Sequence, residues 1–224
     1  MRKYSTVVYD LDGTLVDSAP CVTALLNELR MERSLPPLAQ SAYTPWLSIG
    51  GATMVAAALG ISEANAQPLL HEFRAKYFQR PTPPDSVYPE VHTILQQLQR
   101  AGIGLALCTN KPRLLVEKVL AETGLTRFFT TICTGDDLPT RKPHPDNLLS
   151  CMRAVRSHCG NTLMVGDSRV DQRVAQACKT DFAFFTGGYN DGVEHGACVI
   201  KIANHTDVMP HIRITKERSP CEQL

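Results

Sequence analysis

Four aspartates, one lysine and one threonine stand where this chain could carry out chemistry. The stretch TVVYDLDGTLVDS, Thr6 to Ser18, sets Asp10 and Asp12 one residue apart, directly after a short apolar run and directly before Gly13. Carboxylates serve as nucleophiles, as acid–base groups or as oxygen ligands of a hard cation. A strand repeats its facing every second residue, so both carboxylates can address one small volume, and Gly13 lets the backbone approach a ligand closely. Taken alone, the stretch reads equally well as a polar turn, since Asp and Gly are common in turns. Three later stretches shift the balance: LALCTN delivers Thr109 and Asn110, RKPHPD delivers Lys142, and LMVGDSRVD delivers Asp167 and Asp171.

Such residues act together only if the chain brings several strand ends to one edge. From residue 85 onward, helix-period segments alternate with short apolar ones, the pattern of an α/β domain with a parallel sheet. In PEVHTILQQLQRAG, Val91, Ile94, Leu95 and Leu98 recur at i, i+3, i+4 and i+7, which predicts a helix packed on a sheet. IGLALCTN predicts a buried strand, and a helix with Leu114, Leu115, Val119 and Leu120 on its inner face follows it and ends at Gly124. TTICTGDD, a helix around Leu148, Leu149, Met152 and Val155, and TLMVGD repeat the unit, with DFAFFTGG and ACVIKI as further strands. In open parallel sheets ligands gather beyond the carboxyl ends of the strands, where these polar residues lie.

Residues 18 to about 80 break the rhythm with four helical patterns and no convincing strand. Val22, Leu25, Leu26 and Leu29 form one stripe, and Leu69, Leu70, Phe73 and Tyr77 another. The proline-rich RPTPPDSVYP returns the chain to the sheet. The expected organisation is a core of residues 1–17 and 82–213, a helical module over 18–81, and a polar tail over 214–224. Within the module, the paired Gly50 and Gly51 of SIGGATM permit a tight approach to a substrate just before a helix begins, and read equally well as a plain joint between two helices.

With 224 residues, 43% apolar and 20% charged, the chain reads as a folded globular protein. A net charge of +1 with scattered basic residues gives no footprint for nucleic acid or a membrane surface. No apolar run approaches a membrane span or a signal-peptide core, and the eight cysteines contain no C-x-x-C pair, so reduced thiols in a cytoplasmic protein are expected. Cys108, Tyr43 and Trp46 read as packing residues, and His144, between two prolines, as a residue that shapes its loop.

Taken in order, DLDGTLVDS, CTN, RKPHPD and GDSRVD resemble the four motifs of the haloacid dehalogenase (HAD) superfamily. The match runs from residue 7 to about 171, with the helical module where that superfamily often carries a cap. The resemblance implies a Rossmann-like α/β parallel-sheet core with an inserted α-helical cap domain, and a Mg²⁺-dependent phosphatase. A phosphate ester dianion repels an anionic nucleophile unless a metal ion and a cation offset that repulsion. By resemblance, Asp10 is the nucleophile that forms an aspartyl-phosphate, and Asp12 protonates the leaving oxygen and then activates water. Thr109 binds a transferring phosphoryl oxygen and Lys142 balances its charge. Asp10, the Asp12 backbone carbonyl and Asp167 hold Mg²⁺, with Asp171 orienting Lys142 or the water shell of the metal. Asn110, Gly50 and Gly51 join the substrate site.

SAP after the first motif, SIG in the module, TNKP at Thr109 to Pro112 and GGYNDG at Gly187 to Gly192 resemble the phosphoglycolate phosphatase branch, which acts on 2-phosphoglycolate. Val170 and Lys179 depart from the family pattern, which commonly has Asn and Gly there. Lys179 in a left-handed conformation would cost about 1 kcal/mol. The partner expected is thus a small phosphorylated metabolite, with the oligomeric state left open. A sugar-phosphate phosphatase and a phosphomutase of the β-phosphoglucomutase type remain as alternatives. A receiver-like switch, with its acceptor after a later strand and no cap, fits less well.

Overall fold

Six parallel strands form the centre of the protein in the order β3-β2-β1-β4-β5-β6. They are β1 (Thr6–Tyr9), β2 (Gly104–Cys108), β3 (Thr131–Cys133), β4 (Thr162–Gly166), β5 (Asp181–Phe185) and β6 (Val199–Ile202). The computed structural model describes residues 3–194, 196 and 199–213, so the expected polar tail over 214–224 lies outside the described residues.

Both faces of this sheet are covered, which explains why β1 is apolar or β-branched throughout and buried throughout. Val7 and Tyr9 point to one face, where they pack with Leu105, Leu107, Leu163 and Val165 against α5 (Val91–Arg100) and α6 (Arg113–Thr123). Val8 points to the other, where it packs with Ala106, Cys108 and Met164 against α7 (Asp146–Ala154) and α8 (Arg169–Ala177). Cys108 is therefore a packing residue, as expected. In α6 the inward stripe is Leu115, Val116, Val119 and Leu120. Leu114, expected on that stripe, is 60% exposed, because it lies a full 100° of helix rotation from Leu115, and Val116 completes the inner face instead.

Four helices stand between β1 and β2 before the chain reaches α5. They are α1 (Ala19–Met31), α2 (Thr44–Leu47), α3 (Gly51–Leu59) and α4 (Glu63–Gln79), and they pack on one another as a helical insert. Val22, Leu25, Leu26 and Leu29 of α1 and Leu70, Phe73 and Tyr77 of α4 are buried. Tyr43 is buried with its hydroxyl donating to Asn27 Oδ1 at 2.6 Å, and Trp46 is partly buried against the same core, so both are structural. Lys179 does adopt the left-handed conformation, at φ 55°.

The chain passes from β1 outward through β2 and β3, then crosses back to lay β4 on the other side of β1. The resulting switch point lies between the carboxyl ends of β1 and β4, whose register pairs Tyr9 with Val165. Asp10 follows β1 directly and Asp167 follows β4 directly, and the Asp10 N–H donates to Val165 O at 2.9 Å. The spacing of these two carboxylates is thus set by backbone hydrogen bonds.

Candidate active site

Three carboxylates meet at the switch point. Asp10, Asp167 and Asp171 are all buried, and each offers an oxygen within 4.8 Å of the others. Their partners differ in a way that sorts their roles. Asp167 is held at both oxygens, by Thr14 Oγ1 at 2.8 Å and by the Tyr189 N–H at 2.7 Å. Asp171 is the third residue of α8 and closes a capping box with Ser168, whose hydroxyl donates to Asp171 Oδ2 at 2.6 Å. Its other oxygen, Oδ1, accepts from Lys142 Nζ at 2.6 Å. Asp10 Oδ1 lies 2.9 Å from the same ammonium, but off the hydrogen-bonding direction, and no donor satisfies that buried oxygen.

The electrostatics follow from this crowding. Burial, then the nearby Asp171 charge, pushes Asp10 up to about 7, against the pull of Lys142. Burial, with Asp171 and Asp10 adding to it, raises Asp167 well above the usual carboxylate range. Burial works against the charge of Lys142, yet Asp10 and Asp171 outweigh it and hold the ammonium protonated. Three buried carboxylates facing one ammonium leave an excess of negative charge, and one of their oxygens is an acceptor without a donor. That all-oxygen donor set fits a hard divalent cation such as Mg²⁺.

Above this cluster lies a cavity of about 70 Å³ whose wall includes Asp10, Asp12, Thr109, Asn110, Gly50 and Gly51. Both glycines have positive φ, 62° and 63°, and Gly51 opens α3, as the sequence suggested. Asp10 and Asp12 do share one volume, but with different companions. Asp12 faces the insert, accepting from Ser18 Oγ at 2.7 Å and from Lys111 Nζ at 2.9 and 3.2 Å. Thr109 is buried at the end of β2, and its hydroxyl oxygen accepts from the Lys111 N–H at 3.2 Å, leaving its proton for a ligand. Asn110 Nδ2 donates to Lys142 O at 3.0 Å, while its Oδ1 is buried with no partner. Lys142, Asp167 and Asp171 lie beneath Asp10, outside the cavity wall.

Gly13 has a different reason to be glycine from the one the sequence suggested. At φ 81°, a Cβ there would sit 2.3 Å from Asp167 Oδ2, so the close approach it allows is to a carboxylate of the protein and not to a ligand. His144 is exposed and sits 3.2 Å from Asp146 in its loop, away from the cavity.

Sequence reasoning left out Lys111. Its ammonium is buried, donates to Asp12 and to the Tyr77 hydroxyl at 2.9 Å, and lies 4.2 Å from the Tyr77 ring centroid. Asp12 and Tyr77 keep it charged against the cost of burial. It stands two residues after Thr109 in TNKP, which is the only signal the sequence offers for it. Tyr189, whose hydroxyl meets Ser18 Oγ at 2.8 Å, was likewise not singled out.

Fold and site together define an α/β protein with a parallel sheet and a helical insert over a floor of buried carboxylates. The family model of haloacid dehalogenase-like hydrolases matches residues 7–185. The chain is 36% identical over 213 residues to "Phosphoglycolate phosphatase 1" of Pseudomonas aeruginosa, covering 91% of this chain and 78% of that one. It is 34% identical over 215 residues to the phosphoglycolate phosphatase of Yersinia pestis, covering 92% of each. Its fold is similar to the crystal structure of a predicted phosphoglycolate phosphatase from Haemophilus somnus, with a TM-score of 0.80 at 23% identity over 94% of this chain and 98% of that one. The chain belongs to the haloacid dehalogenase-like hydrolases.

Proposed function

We propose that this protein is a Mg²⁺-dependent phosphatase that hydrolyses 2-phosphoglycolate through an aspartyl-phosphate. The observation that carries the reading is Asp10: a carboxylate at the end of β1, in the wall of the cavity and 2.9 Å from a buried ammonium. A carboxylate placed there can attack a group bound in the cavity while the ammonium offsets the charge that builds up. The two relatives at about a third identity, both named for this reaction, support the substrate. So does the cavity, since about 70 Å³ is several times the ~10–15 Å³ that one water requires and suits a compact ester.

In the first step an Asp10 oxygen attacks phosphorus, the ester P–O bond breaks, and Asp12 gives its proton to the leaving oxygen. In the second, Asp12 takes a proton from water as that water attacks phosphorus, releasing Asp10 and inorganic phosphate. Thr109 donates to a phosphoryl oxygen throughout, and the Asn110 side chain anchors the Lys142 loop beside it. Asp10, Asp167 and the Asp12 backbone carbonyl would hold Mg²⁺, with Asp171 behind them holding Lys142. The ion supplies the charge that lets an anionic nucleophile meet an anionic ester. Residues 1–17 and 82–213 act as the catalytic core, and 18–81 as a cap whose Gly50 and Gly51 approach the leaving group.

The test is phosphate release from 2-phosphoglycolate and a set of sugar phosphates, with Mg²⁺ and with EDTA. Metal-dependent turnover that prefers 2-phosphoglycolate is expected. Preference for a sugar phosphate would replace the substrate, and little net release unless a bisphosphate activator is present would replace hydrolysis by mutase chemistry.

A further inference from the structure

The cavity wall carries two cations, Lys111 and Arg74. They are not equivalent. Lys111 is committed to Asp12 and Tyr77. Arg74 is half-buried on α4, and among the described residues it forms no ion pair and no hydrogen bond. It lies three residues before Tyr77, on the same helix face, so it looks into the chamber from the roof while Asp10 and Thr109 look in from the floor. A half-buried guanidinium without a carboxylate is an incomplete site, because its planar fork is shaped to meet one.

Resting on the phosphatase reading above, we propose that Arg74 is a specificity-determining residue, which recognises a carboxylate on the leaving portion of the substrate while the phosphoryl group sits over Asp10. The surroundings sharpen this. Asp136, the carboxylate whose field reaches Arg74, accepts instead from the Arg113 N–H at 2.8 Å and the Thr134 hydroxyl at 2.8 Å. Burial lowers the tendency of Arg74 to hold its proton and Asp136 offsets this only in part, with Arg141 working against it, so an anion brought by the substrate adds compensation that the protein supplies incompletely. An ester with a neutral leaving alcohol would leave Arg74 facing nothing. Arg74 thus rewards an ester that is anionic at both ends and short enough to reach from floor to roof.

The experiment compares matched esters that differ only in the carboxylate: 2-phosphoglycolate against 2-hydroxyethyl phosphate, and 3-phosphoglycerate against glycerol 1-phosphate. Wild-type protein should favour the carboxylate member of at least one pair in kcat/KM. Arg74→Gln should reduce that preference ratio at least about tenfold, the size of a lost hydrogen bond to a charged group, mainly through KM. Arg74→Lys, which keeps the charge without the fork, should restore part of it. A loss shared equally by both members, with the ratio intact in a variant that melts normally, would overturn the inference, since a merely structural role lowers both. Wild-type turnover without preference for the carboxylate also overturns it while leaving the phosphatase standing. Release of phosphate from neither pair overturns the function itself, and the role of Arg74 with it.

Discussion

Replacing Asp10 with Asn separates what this carboxylate does for chemistry from what it costs the fold. Asp10 titrates at about 7 where an ordinary aspartate titrates at 3.8, chiefly because it is buried. The folded protein therefore binds this proton more tightly than the unfolded chain does, and the stability it contributes is complete below pH ~4 and lost as pH rises through about 7. A difference of about 3 units at ~1.4 kcal/mol each puts the loss on the order of 4 kcal/mol at pH 8 in metal-free protein. An amide keeps the shape and removes the charge. In EDTA at pH 8, Asp10→Asn should thus be more stable than wild type by up to about 4 kcal/mol, or ~8–16 °C in Tm for a chain of this size. The gap should close as pH falls toward 4, and Mg²⁺ should narrow it by stabilising wild type. Phosphate release by the same variant should fall by several orders of magnitude. Thermal melts at several pH values, with and without Mg²⁺, check the first half and a phosphate assay the second. A variant less stable than wild type at pH 8 in EDTA would refute the electrostatic reasoning, and near-normal turnover would refute the covalent route.

Gly13→Ala should press its new methyl onto Asp167, weakening Mg²⁺ activation at least about tenfold and costing ~2 kcal/mol of stability; an unchanged Mg²⁺ titration counts against Asp167 as a ligand. Lys111→Met removes the ammonium that aims Asp12, so kcat should drop ~10–100-fold with a smaller change in KM; a loss under about twofold would show Asp12 positioned by Ser18 alone. His205, buried and stacked on Phe185, titrates down at about 4, so folding stability should fall as pH drops from ~6.5 toward 4, by ~3 kcal/mol in all. His205→Leu should flatten that slope in urea unfolding at pH 7.5 and 5, and parallel slopes would contradict the assignment.

Periodicity located the parallel sheet and the helical insert because each strand is buried on both faces and each flanking helix on one. It misplaced Leu114, since the inward arc of α6 runs from Leu115 through Val116, Val119 and Leu120 and hydropathy alone does not mark where that arc begins. The convergence of Asp10, Thr109, Lys142, Asp167 and Asp171 was legible because each follows a strand pattern, lies in a loop between strand and helix, or stands in the first turn of the helix that comes next. Lys111 was not, because its role depends on Tyr77, 34 residues away in another helix, and no local spacing encodes that meeting. The misread purpose of Gly13 has the same origin: the atom it makes room for arrives from residue 167.

The Lys111 bridge also bears on coupling. One ammonium joins Asp12, in the loop after β1, to Tyr77, on the helix that roofs the chamber. Tyr77 gives Lys111 both its hydroxyl and its aromatic face, so the placement of the ammonium beside Asp12 depends on where α4 sits. One side chain thus ties the loop after β1 to the helical insert, so a change in either is felt at the other.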